Sequence, residues 1–259
     1  MNLQLENKTV LVTGSTKGIG FTIARLFAEE GAQVILNGRS ESSAKAAAAK
    51  IGARVGWVAA DVSTAAGCAA VLKHLPAVDV LVNNAGIFEP KPFAEIPDAD
   101  WERFYQVNVM SGVRLARAYL PAMLAGNWGR VVFISSESGL QIPEEMIHYG
   151  MTKAAELALV NGIAQLTKGT GVTVNAVLPG PTASEGVTEF VGSLAVKAKQ
   201  SASEFEKDFF RNVRPTSLLQ RFATVEEVAR TVVFTCSPLA SATNGAAVRV
   251  DGGVLRATA

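Results

Sequence analysis

The stretch Lys8-Thr9-Val10-Leu11-Val12-Thr13-Gly14-Ser15-Thr16-Lys17-Gly18-Ile19-Gly20 decides how the rest of the chain is read. Its first half is a short apolar run rich in β-branched residues, as a buried strand needs, and Phe21 to Glu30 after it form an amphipathic stretch. Strand, glycine turn and helix therefore follow one another directly. Gly14, Gly18 and Gly20 allow positive φ and close backbone approach, so a pyrophosphate can lie against the amides at the helix start, where the dipole favours negative charge. A glycine-rich turn by itself says little. Between a strand and a helix it meets the context that a dinucleotide site demands.

The same alternation continues outward. Apolar runs predict strands over 8–13, 33–38, 54–60, 78–83, 129–135, 172–178 and 246–250, and helical patterns predict helices over 18–30, 41–51, 64–74, 99–125, 147–168 and 224–237. Strands alternating with helices imply right-handed crossovers and an α/β fold, a doubly wound parallel sheet with helices on both faces. Ligands bind such a sheet outside the carboxyl ends of its strands. Gly14, Asn83, Ser136 and Pro179 fall at the ends of the first, fourth, fifth and sixth predicted strands.

Length and composition agree. No Pro/Gly/Ser-rich linker, charge block or low-complexity tract divides the 259 residues, so one domain spanning 1–259 is expected. Hydrophobic residues make up 49%, ample for a sheet covered on both faces. The balance of 24 basic against 23 acidic side chains leaves no electrostatic footprint for nucleic acid or an anionic membrane, and neither partner is expected. The first residues lack a signal-peptide core and no uncharged apolar span of about 20 residues occurs, so a cytoplasmic protein is expected. Cys68 and Cys236 lie far apart without a metal-ligand pattern and read as reduced thiols, with no metal site.

The chemistry is carried by Tyr149-Gly150-Met151-Thr152-Lys153, with Ser136 thirteen positions earlier. On a helix the i,i+4 spacing stacks phenol and ammonium on one face. A cation held there is expected to lower the tyrosine pKa from about 10 towards the range of an acid/base catalyst. Ser136 ends the apolar run Arg130 to Ile134, so its hydroxyl can point towards that phenol from a strand end.

Over almost its whole length the chain resembles the short-chain dehydrogenase/reductase (SDR) family, and within it the 3-oxoacyl-acyl-carrier-protein reductase-like carbonyl reductases. The resemblance is carried, in the family's order, by Thr13 to Gly20, Asp61-Val62, Asn83-Asn84-Ala85-Gly86, Asn108, Ser136, Tyr149 with Lys153, Pro179-Gly180, and Asn244-Gly245 ahead of Val250-Asp251-Gly252-Gly253. It implies a Rossmann-type fold and an NAD(P)-dependent oxidoreductase. Asn108, Ser136, Tyr149 and Lys153 match the family's catalytic set: Tyr149 as acid, Ser136 stabilising the developing alkoxide, and Lys153 holding the nicotinamide ribose and passing protons through Asn108. Gly14, Ser15, Thr16, Lys17, Gly18, Ile19 and Gly20 match the cofactor loop. Asp61 matches the adenine-binding residue with Val62 beside it, Asn83, Ala85 and Gly86 the segment lining the cofactor, Pro179-Gly180 the start of the loop over the nicotinamide, and Thr182 a position that contacts the carboxamide.

The cofactor is argued from the end of the second strand. An NAD enzyme places a carboxylate roughly 20 residues past the glycines, whereas a 2′-phosphate calls for a guanidinium. By resemblance the acidic position falls on Gly38 and the next on Arg39. Arg39, Lys17 and Ser40 can meet a phosphate, so NADP(H) is favoured, with NAD(H) the alternative.

Substrate identity is less determined. The lid, residues 182–220, carries amphipathic patterns at Glu189-Phe190-Val191 and Glu204 to Phe210, and Leu140, Ile142, Met146, Phe190 and Phe210 are expected to line a mostly hydrophobic pocket with Ser136 and Tyr149. A small ketone and a 3-oxoacyl thioester both suit it. Against a noncatalytic dinucleotide sensor stands the retention of Tyr149 and Lys153. Against a nucleotide-sugar epimerase stands the short chain. The apolar circumference of helix 147–168 (Ala154, Ala155, Leu157, Ala158, Leu159, Val160, Ile163) and the resemblance together predict a homotetramer built through this helix and 99–125.

Overall fold

In the computed structural model residues 1–52, 55–188, 192 and 200–256 are described. The chain runs β1 (Thr9–Val12), α1 (Gly18–Glu29), β2 (Gln33–Gly38), α2 (Glu41–Ile51), β3 (Val55–Ala59), α3 (Ala65–His74), β4 (Val80–Asn83), α4 (Asp98–Phe104), α5 (Ser111–Ala125), β5 (Gly129–Ile134), α6 (Ile147–Gln165), β6 (Val172–Pro179), α7 (Ala202–Asn212), α8 (Val225–Thr235) and β7 (Ala247–Val250). The seven strands form one parallel sheet in the order β3-β2-β1-β4-β5-β6-β7. Strand order reverses between β1 and β4, which opens a crevice at their carboxyl ends.

The sheet is a single-domain Rossmann-type arrangement because each central strand has two faces to bury. In β1, Val10 and Val12 join Ile23, Ala24 and Phe27 of α1 and Val228, Val232 and Val233 of α8. Leu11, pointing the other way, joins Leu115 and Met123 of α5 and Val160 of α6. Val80 and Val82 against Leu81, and Val132 and Ile134 against Val131 and Phe133, divide in the same manner. The side-chain period of two converts an apolar run into two cores, one on each side of the sheet.

One predicted element is not regular. The helix expected over 99–125 is broken into α4 and α5 by a π-helical turn at Tyr105–Met110. The widened turn carries Asn108, whose buried amide accepts from the Ile87 amide (2.8 Å) and donates to the Ile87 carbonyl (3.1 Å) and to Thr152 Oγ1 (2.9 Å). Such turns are frequent at functional sites. The expected helix over Glu204 to Phe210 is α7, closed at its start by reciprocal hydrogen bonds between Ser201 and Glu204. Glu189, Phe190 and Val191 lie outside the described residues.

Candidate active site

The glycine loop is pinned from beneath. Thr13 Oγ1 accepts from the amides of Asn84 and Ala85 (both 3.0 Å), and Asn84 Nδ2 donates to the carbonyls of Thr13 and Gly14 (both 2.9 Å). Ser15 turns inward, its hydroxyl on the Val12 carbonyl and its amide on the Asn37 carbonyl. Gly14, at φ 58°, passes so near Ala85 that an added Cβ would lie 2.9 Å from the Ala85 Cα. Beyond it α1 begins without a side-chain cap, and no acidic residue stands in its first turn. Uncapped amides at a positive dipole end suit a pyrophosphate.

At the end of β2, a Cβ on Gly38 would fall 2.5 Å from Thr16 Cγ2, and with glycine there the position that the resemblance gives to a ribose-binding carboxylate carries none. Arg39 and Lys17 are exposed and without an ion-pair partner among the described residues. The Ser40 hydroxyl oxygen caps α2, accepting from the Ser43 amide at 3.3 Å. Asp61 Oδ1 accepts from the Ser63 amide and hydroxyl, closing the turn before α3, and the Val62 side chain is buried in the core. Asn83 is buried with neither end of its amide bonded among the described residues.

Outside the strand ends lies a cavity of about 540 Å³. Ile19 and Gly86 line it from the cofactor side, Ser136, Tyr149 and Lys153 from β5 and α6, and Pro179, Gly180 and Thr182 from the loop after β6. Met146 lines it as expected, but Leu140 and Ile142 do not, being 57% and 48% exposed. The reason is the tight turn Glu137–Gly139: the Ser138 amide donates to Ser136 Oγ at 3.1 Å, and Gly139 presses on the Lys153 backbone, so the chain leaves over the start of α6 with Ile142 against Gly150. The apolar wall comes instead from Phe205, Phe209, Val213 and Phe222. Phe210 is buried behind it, in ring contact with Phe209 and Phe222.

The electrostatics depart from expectation. Burial drives the Tyr149 phenol above its ordinary value, Glu137 adds to the rise, the Ser136 hydroxyl opposes it, Glu156 raises it again and Arg214 opposes. The net rise runs against the lowering expected from Lys153, whose Nζ lies 5.7 Å from the Tyr149 ring centre. That ammonium donates to Glu156 and to the Ile134 carbonyl. Ser136 Oγ donates to Glu137 Oε2 at 2.5 Å, and Arg214 joins Glu137 and Glu145 across the lid. Glu137, Glu156, Arg214 and the loop-pinning Asn84 were not singled out from sequence as site residues. Arg214 reaches Glu137 across 77 positions, a pairing with no local signal.

The short chain dehydrogenase family model matches residues 8–194. An uncharacterized oxidoreductase of Bacillus subtilis, YvrD, is 48% identical, covering 99% of each chain. The 3-oxoacyl-acyl-carrier-protein reductase FabG of Aquifex aeolicus is 34% identical over 98% of this chain and 100% of that one. Among solved structures, L-sorbose reductase from Gluconobacter frateurii, in complex with NADPH and L-sorbose, superposes with a TM-score of 0.91 at 32% identity, covering 99% and 100% of the two chains. An uncapped glycine loop and a tyrosine-lysine pair on one cavity define a nucleotide-dependent oxidoreductase. The chain belongs to the short-chain dehydrogenase family and is an NAD(P)-dependent enzyme acting on CH–OH groups and the corresponding carbonyls.

Proposed function

We propose that the chain reduces a ketone to a secondary alcohol, and runs the reverse oxidation, with NADP(H) favoured over NAD(H). The observation that carries this reading is the convergence of Ser136, Tyr149 and Lys153 on a cavity that Ile19, from the segment of the glycine loop, also lines. When bound, the reduced nicotinamide supplies a hydride to the carbonyl carbon. Tyr149 gives the carbonyl oxygen its proton, and a phenol held above its ordinary value keeps that proton through neutral pH. Ser136 steadies the developing alkoxide. Lys153 is assigned to the nicotinamide ribose, and Asn108, fixed by Ile87 and Thr152, holds the relay side of α6 in place.

For the cofactor, Arg39 and Lys17, without an ion-pair partner among the described residues, can meet a 2′-phosphate, and glycine at position 38 brings no carboxylate to repel it. The NADPH seen in L-sorbose reductase supports the same choice. The segment 182–220 acts as the lid over the substrate. Its apolar wall of Phe205, Phe209 and Phe222 also supports a second reading, a 3-oxoacyl-acyl-carrier-protein reductase in fatty-acid synthesis, as FabG relatives are named. An NAD-dependent alcohol dehydrogenase of the same family is the third. The enzyme is read as cytoplasmic and homotetrameric.

Loss of reduced-nicotinamide absorbance across a panel of ketones and 3-oxoacyl thioesters tests the reading. Tyr149→Phe should lower turnover by about 10²–10⁴-fold with cofactor affinity preserved. Retained turnover in that variant, or no turnover of any carbonyl by the unmutated enzyme, would defeat it.

A further inference from the structure

Two carboxylates on the cavity wall face one cation from the lid. Glu137 follows Ser136 on the tight turn after β5, where the amides of Leu140 and Gln141 donate to its carbonyl at 3.0 and 2.9 Å, and its side chain is 6% exposed. Arg214 lies just past the end of α7, its amide on the Phe209 carbonyl and its guanidinium carbon 5.9 Å from the Phe209 ring centre. Its Nε donates to Glu137 Oε1 at 3.5 Å and its Nη1 to Glu145 Oε1 at 3.1 Å, with 11% of the side chain exposed. The other oxygen of Glu137 accepts from the Ser136 hydroxyl at 2.5 Å. Ser136, Glu137, Glu145 and Arg214 all line the same cavity.

A hydroxyl has one proton to donate. In carbonyl reduction Ser136 must turn it to the substrate oxygen, yet a buried carboxylate with its full charge holds such a proton about tenfold more tightly than a neutral acceptor does. A guanidinium on the far oxygen of that carboxylate draws on its charge and weakens the hold. We propose that Arg214 is a positioning residue for Ser136, acting through Glu137: with the lid down, the guanidinium takes up the Glu137 charge and frees the serine proton for the carbonyl oxygen. The inference rests on the role given to Ser136, and on the lid, under the proposed function. Arg214 withdrawn with the lid leaves Glu137 uncompensated and the serine turned to it, so the donor becomes available as the substrate is enclosed. Glu145 seats the other end of the guanidinium.

A double-variant cycle on kcat/KM for an alkyl ketone tests this. Arg214→Met should lower kcat/KM by roughly tenfold, the difference between a charged and a compensated acceptor. Adding Glu137→Gln to Arg214→Met should bring it back to within about threefold of the unmutated enzyme, because the grip that Arg214 relieved is gone. In Ser136→Ala, where no proton is contested, Arg214→Met should cost less than about twofold further. An arginine that merely latches the lid, or whose charge acts on the Tyr149 phenol, would cost as much without the serine as with it. An undiminished cost in Ser136→Ala, no recovery in the double variant, or an unchanged kcat/KM in Arg214→Met overturns the inference alone. Ser136→Ala as active as the unmutated enzyme removes the role assigned to the serine and the inference with it. Should Arg214→Met not fold, as circular dichroism would show, Arg214→Gln supplies the neutral side chain for the same cycle.

Discussion

The Ser136 hydroxyl donates its single proton to Glu137 Oε2 at 2.5 Å, while the other carboxylate oxygen of Glu137 receives Arg214 Nε at 3.5 Å. Arg214 in turn donates to Glu145 at 3.1 Å, so the serine assigned to the substrate oxygen is bound into a chain of charges that reaches the lid. A carbonyl oxygen entering this site must win the serine proton from a buried carboxylate. A charge-assisted hydrogen bond of that kind is worth about 1.5–3 kcal/mol.

That competition sets a preference among substrates. A hydroxyl on the carbon next to the carbonyl can replace Ser136 as donor to Glu137 and release the serine proton to the oxygen being reduced. An α-hydroxyketone should therefore show a kcat/KM roughly tenfold or more above that of the alkyl ketone of equal length, as about 1.4 kcal/mol implies. Glu137→Gln, which grips the serine proton more weakly, should erase the difference. Steady-state kinetics on such a matched pair of ketones checks this, and an unmodified preference in Glu137→Gln would refute it.

Beyond the end of β2 the prediction concerns Arg39. Since glycine at position 38 brings no carboxylate, the guanidinium and Lys17 supply the charges able to pair with a 2′-phosphate. Arg39→Ala should weaken NADPH by about ten- to a hundredfold and leave NADH nearly unchanged, the loss of one charge-assisted contact. Fluorescence titration of both cofactors reads it out. Equal affinity of the unmutated enzyme for the two would remove the argument.

What the sequence disclosed and what it hid separate by range. Strand-turn-helix at Val10 to Phe27, and the motif residues at strand ends, are local patterns, and the parallel sheet follows from their alternation. The π-helical turn around Asn108 was not visible, because one widened turn barely disturbs a helical apolar period over 99–125. Leu140 and Ile142 were assigned to the pocket by nearness to Ser136, and the turn at Glu137–Gly139 carries them out of it. Glu156 reads as an ordinary surface acid three residues from a lysine. Only the packing of α6 against the turn after β5, with Gly139 pressed on the Lys153 backbone, shows it to be buried.

The last prediction returns to the outer face of α5 and α6. Ala118, Pro121 and Ala122 on the first, and Ala158, Gly162 and Leu166 along and just beyond the second, are exposed. A Cβ added at Gly162 would meet nothing within 4 Å, whereas the inward residues of the same helix, Val160 and Ala164, are covered by the sheet. Small residues on an open apolar strip let a second helix approach closely, and a twofold contact closes on itself without leaving a free sticky surface. Ala158→Arg places a long cation in the middle of that strip. It should leave the monomer folded, since position 158 points away from the core, and reduce the mass in solution from about four times the 27.2 kDa of one chain to half of that or less. Light scattering at micromolar concentration, with circular dichroism to confirm folding, measures both. A single-chain mass for the active unmutated enzyme would end the proposal. A mass unaffected by Ala158→Arg would move the interface to another face.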